Sequence, residues 1–205
     1  MRCLAWEFED AVIAYVVEDW YERISECISR TALQRLMCFL KVSGVPLAIN
    51  HRIHYYGPYS YEATDRVEWL EIRDVIEDIS PNSRSQYRPG SNAHEPIREY
   101  CQELDGSMSI IVNVIGELAG RSPRDLELLA SVSFVHGTAM REDDDDDKRT
   151  IREIRRIKGN KFDPQEIEEA IAYMKRSSMG LRRRNAISDF TEGHQAQYSK
   201  CDRSG

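Results

Sequence analysis

His51 and His54 are the first residues in the chain whose types and spacing suggest chemistry. Imidazole nitrogens are good ligands for zinc and its relatives, so such a pair raises the question of a metal site. The residues around them alternate, however. Ile49, His51, Ile53 and Tyr55 would share one face of a strand, and Asn50, Arg52, His54 and Tyr56 the other. Positions three apart on a strand point to opposite faces, so the two rings cannot readily grip one ion. No metal and no cofactor is expected. The chain also lacks a Gly-x-Ser-x-Gly elbow and a glycine-rich loop ending in Lys-Ser/Thr. These are the local signatures of a nucleophilic serine and of a phosphate cradle. Glu68, Glu71 and Glu77 fall at helical positions and are expected on a solvated face. The expectation leans away from an enzyme, with a site assembled from residues distant in sequence as the remaining catalytic reading.

What the stretch does offer is contact chemistry. Arg52, His54, Tyr56 and Tyr59 bring cationic and aromatic groups together beside Gly57-Pro58. Arginine and tyrosine are enriched as anchors at interfaces, so these four are the candidate partner-binding residues, with another protein as the expected partner. A half-buried tyrosine has the same signature, so packing of Tyr55 or Tyr56 onto helices is the competing reading.

A DNA-binding regulator is the alternative. Two short helices over 149–158 and 164–177 have helix-turn-helix proportions, and Arg182, Arg183 and Arg184 form a basic cluster in the tail. The second helix opens Pro164-Gln165-Glu166-Ile167-Glu168-Glu169, which places acids where a base-reading helix needs donors. Packing or protein contact therefore suits that pair better. A formal net charge of −7 likewise gives no global attraction to nucleic acid.

Composition bounds the rest. The 205 residues are 41% hydrophobic and 31% charged, enough for one full-sized domain with a well-solvated surface. No apolar run is long enough to span a bilayer, and Glu7, Glu9 and Asp10 interrupt any signal-peptide core. Cys3, Cys27, Cys38, Cys101 and Cys201 are odd in number and scattered, which fits a reducing cytoplasm better than a disulfide framework.

Hydrophobic periodicity sets the elements. A first helix is expected over 7–28, with Ile13, Val17, Trp20, Ile24 and Ile28 on one stripe. Thr31 and Gln34 have capping-box spacing ahead of a second helix that ends near Gly44. A strand over 48–56 ends at Gly57-Pro58, and a third helix runs from Ser60 to Ile79. Residues 81–93 read as a loop, after which helices begin near Pro96, at 111–118 and at Ser122-Pro123. The acidic run 143–147 belongs in a solvated loop. Asp163-Pro164-Gln165-Glu166 is a helix start with N-cap, first-turn proline and first-turn acid. The organisation expected is one domain over 1–178 and a disordered basic tail over 179–205.

Several of these residues carry a family likeness. Leu33-Gln34-Arg35-Leu36-Met37-Cys38-Phe39-Leu40, Gly44, Pro46-Leu47 and Ile53-His54-Tyr55-Tyr56-Gly57-Pro58-Tyr59-Ser60 resemble the YwgA-like prokaryotic proteins. More distantly, they are similar to the Panacea domain of SocA-type antitoxins. Arg35 stands where the family usually has lysine. The likeness extends more weakly to Leu126-Glu127-Leu128-Leu129-Ala130-Ser131 and to the final helix pair. It implies a mainly α fold with a minor β element (α+β), multi-helix and winged-helix-like, and a regulatory or antitoxin-like role. It supplies no catalytic residue.

Overall fold

The computed structural model describes residues 5–80, 85–138 and 146–177. The first helix, α1 (Phe8–Ile24), is stopped by Ser25 in the left-handed region at φ 55°. Every residue from Glu9 to Val17 is buried, so α1 runs through the core rather than presenting a single apolar stripe. Its buried acids are partnered. Glu9 Oε1 accepts from the Ala48 N–H at 2.5 Å, and Asp10 accepts from the Glu7 N–H at 2.8 Å and from Arg66 at 3.4 Å.

Strand β1 (Ile28–Ser29) leads directly into α2 (Arg30–Val42). The cap of α2 is Ser29, whose Oγ accepts from the Ala32 N–H at 3.2 Å, and not the expected Thr31–Gln34 box. Ile28 is spent on the strand, which brings the helix start forward. A hairpin follows, β2 (Arg52–His54) and β3 (Gly57–Tyr59), and then α3 (Tyr61–Ile72). Gly57-Pro58 therefore opens a second strand instead of closing the first.

The third helix was expected to reach Ile79 but stops at Arg73, because Asp74 turns left-handed at φ 55°. Its continuation is β4 (Ile76–Asp78), paired antiparallel with β5 (Gln86–Pro89), which itself pairs with β1. The segment expected to be loop thus holds the central strand of a three-stranded sheet in the order β1-β5-β4. Gly90 allows this return. A Cβ there would lie 2.2 Å from the Asp74 carbonyl oxygen, so only a glycine can pass.

Helix α4 (His94–Glu99) is separated from α5 (Cys101–Leu118) by a break at Tyr100, whose hydroxyl donates to the Trp6 carbonyl at 2.8 Å. Next come α6 (Pro123–Thr138), α7 (Asp146–Lys158) and α8 (Pro164–Arg176). Asp146 and Asp147 belong to the first turn of α7 rather than to a loop. The expected start of α8 is present: Asp163 accepts from the Glu166 N–H at 2.8 Å, and Glu166 returns the bond to the Asp163 N–H at 2.9 Å. Eight helices and two small antiparallel sheets make the described residues mainly helical with a minor β component. Helix α1 packs on α3, α4 and α5, while α2 packs on α5, α6 and β3, which sets the hairpin at the junction of α2 and α6.

Candidate functional site: a clamped tyrosine hairpin

The hairpin reverses through Tyr55-Tyr56, and Gly57 takes the left-handed backbone at φ +115°. That conformation costs about 1–2 kcal/mol in a residue with a Cβ, so the glycine lets two tyrosines occupy the tip without strain. Across the strands Arg52 faces Tyr59, Ile53 faces Pro58 and His54 faces Gly57. Pro58 has no N–H, which makes Ile53–Pro58 the non-hydrogen-bonded pair.

Past the hairpin, Gln34 of α2 holds the backbone of Ser60. Its Nε2 donates to the Ser60 carbonyl at 3.1 Å and its Oε1 accepts from the Ser60 N–H at 2.9 Å. Ser60 in turn caps α3, accepting from the Ala63 N–H at 3.1 Å. The Tyr59 hydroxyl lies 2.7 Å from Thr64 Oγ1.

Beneath the tip lies a buried ionic cluster. Glu127 of α6 receives Arg35 of α2 at 3.2 Å, Lys158 of α7 at 3.1 Å and Lys161 at 2.7 Å. The same cations hold the hairpin by its carbonyls. Arg35 donates to Tyr56 O at 3.2 Å and to Pro123 O at 2.7 Å, and Lys158 to His54 O at 2.9 Å and Tyr55 O at 2.6 Å. The Lys158 side chain is 0% exposed, and all three of its donors are used.

The electrostatics follow from this packing. Burial alone would raise the Glu127 carboxyl, but hydrogen bonds and charge from Lys161 and Lys158 outweigh it and hold its pKa below the ordinary glutamate value. Burial lowers the Lys158 ammonium and the Arg35 guanidinium, each against the opposing pull of Glu127. Three cations against one carboxylate leave an excess of two positive charges under the tip.

Above the clamp the aromatic residues are open. Tyr55 is 49% exposed and Tyr56 73%, with their rings edge to face at 5.2 Å. The Lys161 ammonium sits 5.0 Å from the Tyr55 ring centre and 5.5 Å from that of Tyr56. Tyr61 is 62% exposed and meets Tyr59 edge to face.

The structure brings three of the four sequence-chosen residues to the exposed surface of one hairpin: Arg52, His54 and Tyr56. Tyr59 is half-buried and tied to Thr64. Tyr55, expected on the face shared with Ile53, is at the tip instead. His51 lies just before β2, largely buried, with its pKa pushed down to about 4 by burial and by Lys41. Arg182, Arg183 and Arg184 lie outside the described residues. Sequence reasoning missed Glu127 and Lys158 as site residues. Their signal is a lone charge at a core position: Glu127 stands between Leu126 and Leu128, and Lys158 is four residues after the buried Ile154. Among the described residues no group of three or more His, Cys, Asp or Glu side chains could hold a metal ion. No described helix is long and apolar enough to cross a membrane.

No family model matches the chain. Comparison with known proteins finds similarity to "Uncharacterized protein YwgA" of Bacillus subtilis (strain 168), 24% identical over 149 residues. The match covers 73% of this chain and 86% of that protein. It supports a YwgA-like family. The clamped hairpin and the cap that follows it hold Tyr56-Gly57-Pro58-Tyr59-Ser60, part of the segment noted above for its resemblance to the YwgA-like proteins.

Proposed function

We propose that this protein is a non-enzymatic regulatory or adaptor protein of the cytoplasm that binds another protein through its β2–β3 hairpin. The observation that carries the reading is the pairing of an open tyrosine tip with a fully buried support. Tyr55 and Tyr56 face solvent, while their backbone carbonyls are held by Lys158 and Arg35. Aromatic side chains on a backbone that does not have to be ordered on binding lose little entropy in a complex, and such residues dominate interface energetics. Nothing in protein folding itself calls for two adjacent exposed tyrosines over two buried cations and a half-buried third.

The finer setting is antitoxin-like, as the Panacea resemblance implies, with the hairpin taking the part of the wing in a winged-helix-like arrangement. Affinity purification from the cells that normally make the protein tests the reading. A partner protein retained by the wild type and lost from Tyr56→Ala is the expected result. A protein that purifies alone and monomeric from its native cells contradicts it.

A further inference from the structure

The acids Asp147 and Glu153 of α7 have side chains 46% and 38% exposed, but the most exposed residues of the helix are all cations. They are Lys148, Arg149, Arg152, Arg155 and Arg156, whereas Thr150, Ile154 and Lys158 face the core. At 3.6 residues per turn these five fall within an arc of about 120°, and the arginines span about 10 Å along the axis. Glu153, at the edge of the arc, binds Arg156 at 2.6 and 2.9 Å. Arg149, Arg152 and Arg155 donate to no carboxylate among the described residues. In a chain of net charge −7 this is a strong local reversal of sign.

The stripe runs toward the tyrosine tip. Lys158, the last residue of α7 and three positions after Arg155, donates to the Tyr55 carbonyl, so α7 ends against the hairpin. Lys161 continues the positive charge to the rings themselves.

We infer that the exposed face of α7 and the hairpin tip together bind single-stranded nucleic acid, with the arginines on phosphates and Tyr55 and Tyr56 stacked on unpaired bases. An uninterrupted row of arginines suits a polyanionic backbone, since each contact releases a condensed counterion. Arginine also anchors protein interfaces, but there it is set among apolar residues, whereas here like charges follow one another along the exposed face. Anionic lipid is a poorer match, because the apolar side of α7 is committed to the core and cannot insert. Open aromatic rings beside cations are the usual platform for single strands, whose bases offer free faces that a duplex does not. The inference shares Tyr55 and Tyr56 with the protein-partner reading but rests separately on the arginine face of α7, so charge reversal on α7 that leaves capture of a partner protein intact tells the two apart.

Fluorescence anisotropy of the full chain against a labelled mixed-sequence strand of about 20 nucleotides, longer than common single-strand sites, tests it. Binding at low salt is expected, tighter to the strand than to the matching duplex. The triple variant Arg149→Glu, Arg152→Glu, Arg155→Glu leaves the core untouched; circular dichroism checks its fold. It is expected to abolish binding. The corresponding triple alanine variant should lower the slope of log K against log salt by about 2. The triple Arg→Lys variant should retain that slope, and Tyr56→Ala should weaken the single strand about ten-fold while sparing the duplex. The inference is overturned by absence of binding at low salt, by tighter binding of the duplex, or by binding that survives charge reversal on α7. Loss of binding only when Arg182, Arg183 and Arg184 become alanine overturns it equally. So does a finding that this face captures an acidic protein and no oligonucleotide.

Discussion

The Glu127 carboxylate of α6 and the Lys158 ammonium of α7 lie 3.1 Å apart and buried, and each also reaches beyond the pair. Lys158 extends to the His54 and Tyr55 carbonyls, Glu127 to Arg35 and Lys161. The pair therefore joins two helices and a hairpin that are far apart in sequence. It also makes the stability of the fold and the placement of the tyrosines depend on the same few atoms.

Removing the two partners should not be equivalent. Glu127→Gln leaves three cations around a neutral amide and is expected to cost about 3–5 kcal/mol, the range for breaking a buried ion pair from one side. Lys158→Met leaves Glu127 still paired with Arg35 and Lys161, at the expense of two carbonyls without a donor. Each carbonyl costs about 1–3 kcal/mol if it stays dry, but His54 and Tyr55 are at the exposed tip where water can replace the donor, so a total of about 1–3 kcal/mol is expected. Urea unfolding of both variants measures the difference, and equal losses would show that the cluster is not centred on Glu127.

Acid should weaken the fold in two windows. His51 has a folded pKa of about 4 against an ordinary value of 6.5, so the unfolded chain takes up its proton first as the pH falls. Stability that is complete above pH 6.5 is lost between about 6.5 and 4, by at most on the order of 3 kcal/mol. His51→Gln should flatten that part of the curve. Glu127, whose folded pKa is depressed, contributes stability above the ordinary glutamate range that disappears as the pH falls through its folded value. The Glu127→Gln protein should lack this lower step. Unfolding midpoints from pH 3 to 8 would separate the two.

Two glycines should fail for different reasons. At Gly57 an added Cβ meets Arg35 and Glu127 only at 3.5 and 3.6 Å, so Gly57→Ala pays mainly for the left-handed backbone, about 1–2 kcal/mol. At Gly90 the Cβ would fall 2.2 Å from the Asp74 carbonyl oxygen, and the return of β5 beside Asp74 must shift. Thermal melts should therefore rank Gly90→Ala well below Gly57→Ala.

How far these features could be read in advance depended on sequence separation. Local signals were legible: the Asp163–Glu166 box, the start of α3 at Ser60 and the existence of helix α1, though not its burial all round, each rest on residues within a few positions of one another. The small sheet was not, because Ile28 pairs with Tyr87, and Gln86 to Pro89 sits among turn-forming residues that mask a strand. Ile72, Ile76 and Ile79 mimicked a helical stripe; Ile72 in fact ends α3 exposed, and Ile76 begins β4 buried. At the site, the shared exposure of Arg52, His54 and Tyr56 on one short segment was legible because they are local. The clamp was not, since Arg35 and Glu127 meet across 92 positions and Lys158 reaches Tyr55 across 103.

Tyr56 concentrates the central claim, because its side chain is 73% exposed and its removal should change stability by no more than about 0.5 kcal/mol. The most direct measurement places photoreactive benzoylphenylalanine at the position of Tyr56 in cells that normally make the protein, with the same group at the exposed Tyr21 of α1 as the control. A discrete protein adduct formed from the hairpin and absent from the control is the predicted result. No protein adduct from the hairpin, or the same adducts from both positions, would contradict a role for the hairpin in binding a partner protein.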